Sequence, residues 1–145
     1  MPRNYDAVDT KWSLNGDLAI GKDGDIADTS YDVLRSLRQE VRTRVRSSLE
    51  DWELHPNLGS DLDEIIGLPN NRDTAETGKA RIIESLVRDN FMSEGDIKIK
   101  YVPVDRHRLL YILTISVAPT AANDRSEELT EKFLFHLADK GFYFI

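Results

Sequence analysis

The chain has 145 residues, 40% of them apolar and 31% charged, and 26 acidic side chains against 19 basic ones give a net charge of -7. Such a composition suits one globular domain that buries a core unaided, and the lack of cysteine excludes disulfide frameworks, thiolate metal sites and cysteine nucleophiles. No apolar run reaches the ~20 residues of a membrane span, and MPRNYDAVDTKW lacks the apolar stretch of a secretory leader, so assembly in the cytoplasm is expected.

Residues 1–11 are polar and read as an N-terminal arm ahead of a domain over 12–117. Trp12 to Leu14, Asp17 to Ile20 and Asp25 to Ala27 are short extended candidates. They are separated by Asn15-Gly16 and by Gly21-Lys22-Asp23-Gly24, which supply the positive φ of tight hairpins. From Ser30 onward, Val33, Leu37, Val41, Val45 and Leu49 recur four apart with Leu34 beside them, the spacing of a helix with one apolar side. Ser30 or Asp32 can cap its start, and Glu40 can pair with Arg44. Arg35, Arg38, Arg42, Arg44 and Arg46 fall mostly off the apolar side. Residues 33–49 thus carry five cations against one carboxylate, whereas 1–32 carry three against seven and 50–74 one against seven. The arginine side is either a solvated face paired with neighbouring carboxylates or, through Arg38, Arg42 and Arg46, a docking face for an acidic partner protein.

In DWELHPNLGSDL, Pro56 disfavours helix at His55 and Gly59 permits a sharp change of direction. Ser60 then caps a short helix from Asp61 to Ile66, with Leu62, Ile65 and Ile66 inward. Asp73 and Glu76 form a capping-box-like start to a third helix, Thr74 to about Phe91, in which Ala80, Ile82, Ile83, Leu86 and Val87 take helical apolar spacing and pack on the first helix. The period then changes to two. Ile97, Ile99 and Tyr101 alternate with Lys98 and Lys100, Pro103 ends the strand or marks an edge, and a polar loop leads to Leu109 to Val117, apolar enough for burial on both faces. These two stretches make an antiparallel hairpin. Residues 118–145 read as a C-terminal extension: a linker, a helix capped by Ser126 and running to about Lys140 with Leu129, Phe133, Leu134 and Leu137 on one side, then Phe142, Tyr143, Phe144 and Ile145. Those four either return as a last strand or insert into a neighbour. The expected class is α+β: three main helices packed on a small antiparallel sheet, plus a C-terminal helix and a short terminal strand.

Catalytic machinery is sparse. His55, His107 and His136 lack metal-ligand spacing, and there is no nucleophile elbow or phosphate-cradling loop, so no metal and no cofactor are expected. Paired carboxylates leave one enzymatic alternative, a peptidoglycan hydrolase using Glu53 beside Trp52 with Asp61 or Glu50. A nucleic-acid-binding module using the arginine helix is a further alternative, but one positive helix bracketed by acid makes a poor electrostatic footprint.

The order of these features resembles the baseplate-wedge, or sheath-initiator, family of contractile phage tails and type VI secretion systems, often labelled lysozyme-like. The likeness rests on DLAIGKDGDI, on LRQEVRTRVRSSL with Gln39, on DWELHPNLGSDL with Glu53, Pro56 and Gly59, on ARIIESLVRDN, and on the hairpin from Ile97 to Val117, roughly residues 14–117. Where the family carries Glu-Pro-Arg before the first hairpin strand, this chain reads FMSEGDI, with Glu94 in that place. The resemblance implies a non-enzymatic virion component of the tail baseplate. Its partners would be other wedge proteins, the sheath protein and tube-initiating proteins, with neither nucleic acid nor membrane among them. Strand sharing would then run along Ile97, Ile99 and Tyr101.

Overall fold

The structure, a computed structural model, describes residues 10–13, 17–29, 33–119, 126–139 and 141–145. Two helices, α1 (Val33–Arg46) and α2 (Arg72–Val87), pack on each other and on one face of a four-stranded antiparallel meander. Its strands follow chain order: β1 (Ile97–Pro103), β2 (Arg108–Val117), β3 (Glu127–His136) and β4 (Phe142–Phe144).

The pleat puts Ile97 and Ile99 of β1, Leu109, Tyr111, Leu113 and Ile115 of β2, and Leu129, Glu131, Phe133 and Phe135 of β3 on the helix-covered face. Register aligns them in rows: Tyr101, Tyr111, Phe133 and Phe144 form one, and Ile99, Leu113 and Glu131 another. Leu37, Val41 and Val45 close the core from α1, and Ile82 and Leu86 from α2.

Three expectations need correction. The helix expected from Ser126 to Lys140 is strand β3, which pairs with β2 along its whole length. Spacing at Leu129, Phe133, Leu134 and Leu137 admits a helix, yet the residues that are buried are Leu129, Glu131, Phe133, Phe135 and Leu137, in strict alternation. The inward carboxylate of Glu131 interrupts the apolar pattern by which a strand is recognised. The short helix at Asp61 to Ile66 is a single 3₁₀ turn, Leu62–Ile65, closed by Gly67 at a φ of 81°. Among the described residues there are accordingly two α-helices, not three main ones with a fourth at the C-terminus. Finally, β2 is fully buried on one face only, because Leu110, Ile112 and Thr114 are half-exposed on the side that no helix covers among the described residues.

Local chemistry explains the second helix. Its cap is Asn71, whose Oδ1 accepts from the Thr74 N–H at 2.9 Å, in place of the expected Asp73 and Glu76 pair. Its inward side is built from small residues, Ala75, Gly78 and Ser85 among Ile82 and Leu86, while Ala80 is exposed. A Cβ at Gly78 would collide with the Tyr111 hydroxyl, which donates to the Ala75 carbonyl at 3.0 Å. Glycine therefore lets helix and sheet approach closely, and burial pushes the Tyr111 phenol well above its ordinary value. Asp89 and Asn90, at φ of 59° and 53°, turn the chain out of the helix.

The N-terminal strand candidates form a ribbon of isolated bridges, Thr10 to Asp28, Trp12 to Leu18 and Ile20 to Ile26. Three backbone bonds close it in a ring: Lys11 N–H to Ala27, Ala19 N–H to Lys11, and Ala27 N–H to Ala19. The proposed Ser30 and Asp32 caps, the Asn15-Gly16 turn and most of the 118–123 linker lie outside the described residues.

Candidate interaction site

The arginines of α1 divide by position. Arg38 and Arg42 converge on Glu131, with Nε–carboxylate distances of 2.6 and 2.9 Å, and a second Arg42 nitrogen lies 3.3 Å from the same carboxylate. Only 3% of the Glu131 side chain is exposed, against 45% for Arg38 and 27% for Arg42. A carboxylate so deeply buried requires paired cations, and two guanidiniums delivered one helical turn apart supply them. Arg44, expected off the apolar side, is also buried: its guanidinium stacks on Phe91 at 4.3 Å and its Nε bonds Glu40 at 3.2 Å. Its Nη1 lies 3.8 Å from Asp89, within ion-pair reach but too far to hydrogen-bond.

Arg35, Arg38, Arg42 and Arg46 line a groove of about 870 Å³, together with Lys11, Trp12, Trp52, His55 and Phe144. Both walls are anchored to α1. Gln39 accepts from the Trp12 N–H at 2.8 Å and donates to the Thr10 carbonyl at 2.7 Å, which docks the ribbon on the helix. On the other side the Trp52 indole N–H donates to Ser47 Oγ at 3.1 Å. The loop carrying Trp52 folds back because Ser60 donates its hydroxyl to the Val45 carbonyl and its N–H to Ser47, each at 2.8 Å. Gly59 has a φ of 138°, and a Cβ there would stand 2.6 Å from the Ser48 backbone, so only glycine fits. Pro56 is exposed, and its carbonyl accepts from the Glu50 N–H at 3.0 Å.

Glu53 is exposed in the same loop. Among the described residues the groove beside Trp52 is lined by several cations and by one carboxylate, Glu40. A hydrolytic pair needs one acid held protonated in an apolar pocket; neither Glu53 nor Glu50, both exposed, is so placed.

The remaining candidates fall at the sheet's edges. Ile97 and Ile99 point inward, as does the half-buried Tyr101, whose hydroxyl bonds Glu76 at 2.7 Å and is thereby held above its ordinary pKa. Along β1 it is the backbone that faces outward, since no strand pairs with its outer side among the described residues. Glu94 is exposed in the 3₁₀ turn that leads into β1. At the other edge Phe142 and Phe144 return to the domain as β4, Phe142 stacking on Phe133 at 4.7 Å, while Tyr143 and Ile145 are exposed.

Sequence reasoning missed Glu131 entirely. Its signal was an acidic residue at an inward position of an otherwise alternating stretch. Among the described residues no group of His, Asp or Glu side chains could hold a metal, and no helix is long and apolar enough to cross a membrane. No protein-family model, curated protein or solved structure matches the chain.

Proposed function

We propose that this chain is a structural part of a contractile injection machine: a baseplate component in the virion tail, assembled in the host cytoplasm. It binds wedge proteins and starts sheath assembly by accepting a strand. The observation that carries the reading is β1, seven residues long, with its outer backbone edge unpaired among the described residues and its inner face held by α2. Such an edge offers main-chain hydrogen bonds for affinity and alternating pockets for register. A long open edge is an aggregation hazard in a protein that works alone. The exposed Lys98 and Lys100 and the terminal Pro103 limit indiscriminate pairing without closing the edge.

The hydrolase alternative lacks a buried acid at Glu53, and the nucleic-acid alternative has one short cationic stripe on an acidic chain. The test is amide hydrogen exchange with and without the sheath protein of the same tail. Strand acceptance predicts that the alternate β1 amides facing away from β2 exchange fast in the isolated chain and become protected in the complex. Unchanged exchange along β1 in a complex that nevertheless forms would rule the mechanism out.

A further inference from the structure

We propose that the helix-free face of the sheet is a docking site for an amphipathic helix of a partner protein, one whose apolar stripe is bordered by carboxylates. Strand register sets Val102, Leu110, Leu134 and Tyr143 side by side in one row across all four strands. No helix covers them among the described residues, and Val102 is 46% and Tyr143 59% exposed. The next row holds Lys100, Ile112 and Lys132, and Ile145 extends it past β4 by donating its N–H to the Lys132 carbonyl at 2.9 Å. Large apolar side chains thus run from one edge of the sheet to the other, as on a face that a further layer closes.

The charge of the covering layer follows from the lysines. Lys98, Lys100 and Lys132 are exposed on this face, and none of the three ammoniums is bonded to a carboxylate among the described residues. Edge protection accounts for Lys98 and Lys100 on β1. It does not account for Lys132, which stands on the interior strand β3 between Ile112 and Ile145. The other charges of the face are balanced or lie apart: Arg108 pairs with Asp105, Asp139 holds the His136 imidazole, and Glu128 is about 13 Å along β3 from Lys132. Surplus ammoniums beside an apolar row are matched by carboxylates beside an apolar stripe, which a single amphipathic helix provides. A second copy of the chain would bring the same positive surplus to the contact, and an anionic lipid surface repels a chain of net charge -7. The docking uses side chains on the sheet's face and leaves the outer backbone of β1 free, so it can fail while strand acceptance holds, and the reverse.

The probe is an alanine-based helical peptide of about four turns with a leucine stripe bordered by glutamates, compared with the same peptide bearing lysines instead. It is titrated into the full-length chain and read through methyl resonances. Saturable shifts are expected at Leu110, Ile112 and Leu134 with the glutamate peptide, weakening as salt rises. The double variant Lys100→Glu with Lys132→Glu should bind that peptide at least about tenfold more weakly and prefer the lysine peptide, with an unchanged circular dichroism melt. Equal binding of the two peptides by the parent chain, or parental affinity in the double variant, overturns the proposal. So do shifts confined to other faces, or their absence at about 1 mM peptide. Shifts that follow the chain's own concentration without peptide assign the face to a second copy, and shifts seen with anionic phospholipid vesicles but not with peptide assign it to a lipid surface. Binding that emerges only after residues 1–9 are deleted assigns it to the chain's own N-terminal segment. Each of these three overturns the proposal too.

Discussion

The two edges of the sheet are made from the same alternating pattern and end differently. At β4 the chain brings its own closure: Phe142 and Phe144 stack with Phe133, and Arg42 lies 5.3 Å over the Phe144 ring while it also holds Glu131. At β1 the inward side chains reach α2, but nothing among the described residues covers the outer backbone, and Lys98 and Lys100 stand in solvent. One edge strand is only three residues long and is held to β3 by side chains of high burial value. The other has seven residues and only peptide groups to offer. The difference teaches that an edge strand's length and its side-chain anchoring follow from what the flanking chain supplies, and that the arginine helix serves the β3–β4 side.

Removing the clamp should have the largest effect. Replacing both Arg38 and Arg42 by Ala strands Glu131 inside the core and should cost about 3–5 kcal/mol in urea unfolding. Adding Glu131→Leu should recover most of that loss, since an apolar side chain suits the position once the cations are gone. Failure of the third substitution to restore stability would show that the arginines act there by something other than charge. Deleting Phe142–Ile145 comes next, at about 2–4 kcal/mol for two half-buried rings and their stacking. Chemical denaturation measures it, and a variant as stable as the parent would put the value of these rings in a complex instead of in the domain.

The smallest effect tests the open side. Asp105, in the turn between β1 and β2, accepts from the His107 N–H and pairs with Arg108, which together hold its carboxyl below the ordinary 3.8. A lowered folded-state pKa contributes stability that is present above the ordinary value and lost as pH falls through the lowered one. Asp105→Asn should therefore melt slightly below the parent at neutral pH, and the two melting curves should converge in strong acid. A gap that persists at the lowest pH would mean that the turn is held by geometry and not by the charge.

The hairpin of β1 and β2 was legible because Ile97, Ile99 and Tyr101 alternate with lysines, a period no helix shares. Both long helices were legible from apolar residues at three and four apart, though the small inward face of α2 was not, since Ala75 and Gly78 are chosen by the approach of Tyr111 from a distant strand. The candidate site was half legible. Five arginines on one helix are plain in the chain, but which of them serve the core depends on β3, some ninety residues later.

By itself the amino-acid order determined the two long helices, the β1–β2 hairpin and the location of the basic helix, because those rest on interactions between near neighbours. Tertiary structure alone decided that Glu127–His136 is a strand, that Glu131 is answered by Arg38 and Arg42, and that the sheet runs from a seven-residue edge strand to a three-residue one. A carboxylate reads as surface until the cations that neutralise it are brought within 3 Å, and only folding does that.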